Sequence, residues 1–313
     1  MVVTNDNTQL YAGNEKGWMW CYSIKTHMKI KEFGKIFDSK ITNMEITPDN
    51  MSLVVSADQI ATLKVFSIDD QKLTNESTVT KDVRAMALTK DCQKVYTVEK
   101  GEDDIIRGGY DVLKVRDLYD ESPKKKKTSG NLSVSQSKYR DTHQEYAGPT
   151  CPLGMYGVNS MLVTHDNKYL YIADNKGNMV LFYIPDNKVI RCFGVIHEPM
   201  VVSMASTKNN RLLYTAGLNG DLKVWNIKRQ ELVKDFGSVM NEKHGPDSGD
   251  NQISGIFLSN DDRWLTCVGS NGSLREINLS LFYDVRNFDN RALSFTYQPL
   301  IPDHITYFCY YYQ

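Results

Sequence analysis

A four-residue turn signal recurs along this chain at a nearly constant interval, and each time two strand-forming residues follow it at fixed distance. The turns are Thr4-Asn5-Asp6-Asn7, Thr47-Pro48-Asp49-Asn50, Thr89-Lys90-Asp91-Cys92, Thr164-His165-Asp166-Asn167, Thr207-Lys208-Asn209-Asn210, Ser259-Asn260-Asp261-Asp262 and a weaker Ile301-Pro302-Asp303-His304. Six residues past each first position stand Leu10-Tyr11, Leu53-Val54, Val95-Tyr96, Leu170-Tyr171, Leu213-Tyr214, Leu265-Thr266 and Tyr307-Phe308. Successive turns begin 43, 42, 75, 43, 52 and 42 residues apart, a unit of 42 to 43 residues with two local insertions.

Within a unit the pattern is that of short strands. In the unit starting at Thr207, Leu212–Ala216 reads as a strand, Asn219-Gly220 as a two-residue hairpin turn, and Leu222–Ile227 as the next strand, because an Asn-Gly pair accepts the positive φ of a type I′ turn. The glycine returns at Gly17, Gly177 and Gly272, and a Phe-Gly pair closes three units at Phe33-Gly34, Phe193-Gly194 and Phe236-Gly237. Adding the opening strand of the following unit, such as Ile41–Ile46 or Ile253–Leu258, gives four antiparallel strands per repeat. A period of about 40–45 residues built from four short strands predicts an all-β β-propeller. The register predicts seven blades, the last one incomplete; the alternative is six blades, closed by a C-terminal strand at Arg291–Gln298 beside Leu10–Asn14. The chain is then a single domain over 1–313. The third unit carries an enlarged hairpin at Gly101–Asp111, and two polar insertions, 121–150 and 241–250, read as flexible loops.

The strands Leu222-Lys223-Val224-Trp225-Asn226, Leu113-Lys114-Val115-Arg116-Asp117-Leu118 and Leu63-Lys64-Val65-Phe66-Ser67-Ile68 resemble the strand ending in Trp-Asp of the WD40 repeat family. Only Trp225 keeps the signature tryptophan; Tyr22, Phe66, Arg116, Phe182 and Ile277 stand at that place elsewhere. His197 echoes the family's Gly-His dipeptide, and Asn219 and Asn271 replace its usual Asp. The resemblance implies a propeller that serves as a protein-protein interaction scaffold, a non-enzymatic subunit of a larger assembly of the cytoskeletal or ciliary kind. With these departures the resemblance does not by itself imply the family's Asp-His-Ser-Trp hydrogen-bond network.

A net charge of −1 argues against nucleic-acid binding through overall basicity. No run of apolar residues is long enough for a membrane span, and Met1–Leu10 has neither the basic region nor the apolar core of a signal peptide, so the reading is cytoplasmic. Cys21, Cys92, Cys151, Cys192, Cys267 and Cys309 form no CxxC pair and are read as reduced. There is no phosphate loop, no HExxH and no GxSxG elbow, so no catalytic residue, metal or cofactor is expected. The candidate partner-binding residues are the basic run Lys124, Lys125, Lys126 and Lys127, suited to an acidic partner, and the aromatic tail Tyr307, Phe308, Tyr310, Tyr311 and Tyr312. A second reading rests on Asp166–Asp174 and Val3–Asp6, which resemble lactonase-type and YVTN-type propeller repeats. That resemblance implies a hydrolase with acidic groups such as Glu45 and Glu276 facing a central channel.

Overall fold

The computed structural model describes residues 1–6, 8–79, 83–99, 112–118, 157–186, 188–240, 252–259, 261–270 and 273–279. The chain divides into two compact units, Met1–Val158 and Asn159–Gln313. In the first, sheet one contains β1 (Val2–Val3), β2 (Gln9–Gly13), β3 (Trp18–Ser23) and β4 (Lys29–Lys35). Sheet two contains β5 (Ile41–Ile46), β6 (Ser52–Ala57), β7 (Thr62–Ser67) and β8 (Lys72–Thr78), and sheet three β9 (Val83–Leu88), β10 (Lys94–Glu99) and β11 (Val112–Asp117). In the second, whose boundary falls at the start of β12, sheet four is β12 (Val158–Val163), β13 (Tyr169–Asp174), β14 (Asn178–Tyr183) and β15 (Lys188–Val195). Sheet five is β16 (Val201–Ser206), β17 (Leu212–Gly217), β18 (Asp221–Asn226) and β19 (Glu231–Ser238), and sheet six β20 (Ile253–Leu258), β21 (Trp264–Gly269) and β22 (Leu274–Asn278). Every sheet is an antiparallel meander in chain order.

The recurring turn joins the first two strands of each sheet, and its chemistry explains the threonine. The hydroxyls of Thr4, Thr47, Thr89, Thr164, Thr207 and Ser259 each accept the backbone N–H five residues on, at 2.9–3.1 Å. The same residue donates its own N–H to the carbonyl there, as Thr47 does to Ser52 at 2.8 Å. Asp or Asn two positions on binds the next turn N–H, as Asp49 does for Met51 at 2.9 Å. Burial of Thr4, Thr47, Thr164 and Thr207 is thereby matched by full hydrogen bonding. The fourth turn residue takes positive φ, which Asn and Asp tolerate: 64° at Asn50, 54° at Asn210 and 56° at Asp262.

That fourth residue also ties neighbouring turns together. Asn50 Oδ1 accepts the N–H of Asn5 at 2.8 Å, Asn210 Oδ1 that of His165 at 2.8 Å, and Asp262 Oδ2 that of Lys208 at 2.8 Å. Sheet three has Cys92 at this place, and the residue it would serve in sheet two is Pro48, which has no N–H to offer.

The hairpin glycines take positive φ as the register requires: 80° at Gly17, 79° at Gly177 and 89° at Gly220; Gly272 lies outside the described residues. At Gly177 the constraint is also steric, since a Cβ would stand 1.7 Å from the carbonyl oxygen of His197. The two-residue Asn-Gly turn is corrected: the loop holds three residues, Leu218, Asn219 and Gly220. Gly220 donates to Gly217 at 3.1 Å and is the turn's only residue at positive φ. A type I turn with its glycine in the left-handed region spans the strands here in place of type I′. The Phe-Gly pairs form bulges in the outer strands, where the register slips between Met19 and Trp20 and between Met179 and Val180.

The second strands of sheets two to five are buried on both faces. Leu53, Leu170, Leu213 and Leu265 are inaccessible, and Tyr11, Tyr96, Tyr171 and Tyr214 are nearly so. Sheets one and two share a core around Tyr11, Met19, Leu53 and Phe66, and sheets five and six share one around Tyr214, Leu222, Ile256 and Leu265. Of the sequence expectations, seven blades give way to six sheets among the described residues, the alternative number. The seventh unit would begin at Ile301, which has no hydroxyl to close the turn as the other six first positions do, and residues 281–313 lie outside the described set. So do the proposed closing strand 291–298 and the insertions 121–150 and 241–250. The inner neighbour of β2 at Leu10 and Tyr11 is β1. Cys21, Cys92 and Cys267 are free and buried, whereas Cys192 is disulfide-bonded, contrary to expectation.

Candidate functional site

Sheets three and five carry polar side chains at one equivalent interior place, where the fourth residue of the second strand meets the third strand. In sheet five this residue is Thr215, opposite Lys223, with Trp225 two residues further along β18. His197 Nε2 lies 2.8 Å from Thr215 Oγ1, and Trp225 Nε1–H donates to the same oxygen at 3.0 Å. Burial, followed by the nearby Lys223 ammonium, pushes the His197 pKa down to about 4, so the ring is neutral. Its Nδ1 is buried without a partner. A bare lone pair is cheaper to bury than an unpaired N–H, which places the proton on Nε2, donating to Thr215. The His–Thr–Trp part of the network therefore exists, with threonine in the serine place, while the Asp arm is absent because Asn219 turns its amide nitrogen to Asp221 at 2.7 Å.

Sheet three builds an ionic version at the same register. Thr97 stands opposite Lys114, and Arg116 takes the place of Trp225. Thr97 Oγ1 donates to Glu99 Oε1 at 3.0 Å and accepts from Arg116 Nη1 at 2.5 Å. Lys114 Nζ is 3.0 Å from Glu99 Oε2, and Arg116 also pairs directly with Glu99. Glu99 is wholly buried, at the strand position that Gly217 holds beside the His197 ring in sheet five. Sheets two and six fill the place with apolar groups: Val55 and Phe66 with Phe37 in one, Cys267 and Ile277 with Met240 in the other. Burial pushes the Cys267 thiol up to about 12, so it behaves as a small apolar group.

A second set of polar contacts fastens one sheet to the next. Lys64 Nζ donates to the carbonyl of Ile36 at 2.8 Å, Lys223 Nζ to that of Ile196 at 2.7 Å, and Arg275 to that of Val239. Asn43 reaches the Val83 carbonyl at 3.2 Å and Asn159 the Val201 carbonyl at 2.7 Å. Glu45, a channel-facing candidate of the hydrolase reading, accepts the N–H of Leu88 at 3.0 Å, and burial pushes its pKa up to about 7. Glu276 is exposed on β22. Among the described residues no group of His, Cys, Asp and Glu is placed to hold a metal ion, and no helix is long and apolar enough to cross a membrane.

The binding candidates chosen from sequence, Lys124, Lys125, Lys126, Lys127, Tyr307, Phe308, Tyr310, Tyr311 and Tyr312, lie outside the described residues. What the sequence reading missed is a recurring pair at the start of every described outer strand: Lys29-Ile30, Lys72-Leu73, Lys188-Val189 and Glu231-Leu232. Ile30, Leu73 and Leu232 are close to half exposed, and Met28, just before β4, is 69% exposed.

The family model for the WD domain, G-beta repeat (WD40) matches residues 189–226, the stretch holding His197, Thr215 and Trp225. Among solved structures the chain is similar to the Cps50 (Swd1) β-propeller domain of Myceliophteria thermophila, with TM-score 0.63 and 12% identity over 94% of this chain and 84% of that one. The chain has a β-propeller fold and carries one matched WD40 repeat. No curated protein matches it by sequence. The WD40 match falls on the one described sheet that combines the histidine with the signature tryptophan, and the propeller likeness extends over sheets whose repeats have lost both.

Proposed function

We propose that this propeller is a non-enzymatic interaction scaffold within a larger intracellular assembly. The observation that carries the reading is the exposure of Ile30, Leu73 and Leu232 at one equivalent position of three outer strands. Burying an aliphatic side chain is worth about 1.5–3 kcal/mol, and residues held on a rigid sheet bind with little further ordering cost. The buried polar groups described above are meanwhile occupied in turns, hairpins and sheet-to-sheet contacts, which suits a body whose task is to stay rigid. WD40 propellers commonly bind other proteins, and this supports the same reading.

Lys29 and Lys72, beside Ile30 and Leu73, are exposed amines suited to cross-linking. Cross-linking mass spectrometry on the tagged chain in its own cells is expected to join these lysines to a second polypeptide. The triple variant Ile30→Glu, Leu73→Glu, Leu232→Glu is expected to lose those links while keeping the parent's melting temperature. Cross-links confined to this chain in the parent would contradict the scaffold reading.

A further inference from the structure

We propose that the turn end of sheet five is a docking surface for an acidic segment of a partner protein, an inference that rests on the scaffold reading. In the four-stranded sheets the residue after the third strand donates its N–H to a turn carbonyl, which brings the recurring turn beside the hairpin that follows. The bond joins Ile24 to Thr8 at 3.0 Å, Ile68 to Met51 at 2.9 Å, Ile184 to Lys168 at 2.9 Å and Ile227 to Arg211 at 3.0 Å. The residues next in line are Lys25-Thr26, Asp69-Asp70, Pro185-Asp186 and Lys228-Arg229. Only sheet five of these four therefore brings three cations together, Arg211, Lys228 and Arg229, and all three are exposed. None of them has an ion-pair partner among the described residues. Asp262 binds the Lys208 N–H at 2.8 Å, which draws the turn of sheet six alongside and adds Arg263, itself only 3.8 Å from Asp261.

Arginine presents a planar fork that fits carboxylates in pairs, and three like charges left unpaired repel one another until an anion arrives. A polypeptide fits this surface better than a nucleic acid does. Glu231 and Asp261 lie on the same end and would repel a continuous phosphate chain, whereas a peptide can place its acids around them. The exposed apolar neighbour is Leu232, at 46% exposure, an aliphatic contact for a peptide side chain rather than a stacking platform for bases. The sequence had assigned an acidic partner to Lys124–Lys127; the described surface that fits one is this different place.

Fluorescence anisotropy of a labelled Glu/Leu peptide on the full chain tests the proposal, with a single-stranded oligonucleotide of matched charge as the competing probe. Binding that weakens with salt is expected, and Arg211→Glu with Arg229→Glu is expected to weaken it by about tenfold or more. Lys16→Glu with Lys25→Glu, at exposed lysines elsewhere, is expected to leave it within about twofold, and unchanged melting of both variants shows that they fold. Absent peptide binding, equal loss in the control, or tighter binding of the oligonucleotide overturns the proposal. If the peptide fails while the cross-links from Lys29 and Lys72 persist, this surface alone is withdrawn. If those cross-links are absent as well, the scaffold reading falls with it.

Discussion

Sheets three and five place a threonine at the same register and surround it with opposite chemistry. In sheet five Thr215 accepts from a neutral imidazole and an indole; in sheet three Thr97 donates to a carboxylate and accepts from a guanidinium. Sheet two has Val55, Ala57 and Phe66 at the corresponding places and fills the volume with hydrocarbon. The fold thus demands that this volume be filled and every polar group in it be answered, but leaves the chemistry free. The solutions differ in fragility. A buried ion pair is weak as a source of net stability yet costly to break from one side, whereas a neutral hydrogen bond costs less when lost.

The largest expected effect is therefore in sheet three. Glu99→Ala leaves the Lys114 and Arg116 charges without their buried partner and should cost about 3–5 kcal/mol by denaturant unfolding. Thr215→Val in sheet five should cost about 1–3 kcal/mol, the penalty for stranding the His197 and Trp225 donors. Equal losses would erase the distinction between the two sheets.

Two smaller effects sharpen the comparison. Gly177→Ala meets both a positive φ and the His197 carbonyl, so it should destabilise by about 2 kcal/mol or more. Gly194→Ala has a φ of 71° but nothing within 4 Å of the added carbon, and should cost about 1 kcal/mol. The pH dependence concerns Glu45, whose folded pKa of about 7 lies above the ordinary glutamate value of 4.5 because the carboxyl is buried. The folded state holds this proton more tightly, so the contribution is fully present below pH 4.5 and is lost as pH rises through 7. The loss is at most about 3 kcal/mol. Glu45→Gln should flatten that slope in unfolding experiments at pH 5 and pH 8, and an unchanged slope would assign it to other groups.

The repeat was legible because its signals are local. A threonine, an Asp two residues on and an Asn or Gly at positive φ act within a few residues of chain, and β5 and β20 coincide with the strands read at Ile41–Ile46 and Ile253–Leu258. The interior network was less legible because it depends on pairing register. His197 and Thr215 stand on opposite sides of a whole strand, so the spacing of the signature did not reveal that they meet. Glu99 stands in no motif of the sequence, although Thr97 lies eight residues past its turn just as Thr215 does past its own. Aligning the two threonines would have placed Arg116 and Glu99 around the first. The exposed pairs Lys29-Ile30, Lys72-Leu73 and Glu231-Leu232 were hidden for a different reason: alternating strands bury most such aliphatics, and only burial in the fold separates these three from the rest.

The central claim, that geometry sets the interior position and chemistry is interchangeable there, is tested by copying sheet two into sheet three. The triple variant Thr97→Val, Glu99→Ala, Arg116→Phe replaces the ionic network with the residues sheet two uses. Its unfolding free energy, measured beside that of Glu99→Ala, should return to within about 1 kcal/mol of the parent, since apolar replacement of a buried ionic cluster is often neutral or stabilising. A triple variant as unstable as Glu99→Ala alone would show that sheet three needs its charges, and the interchange would be contradicted.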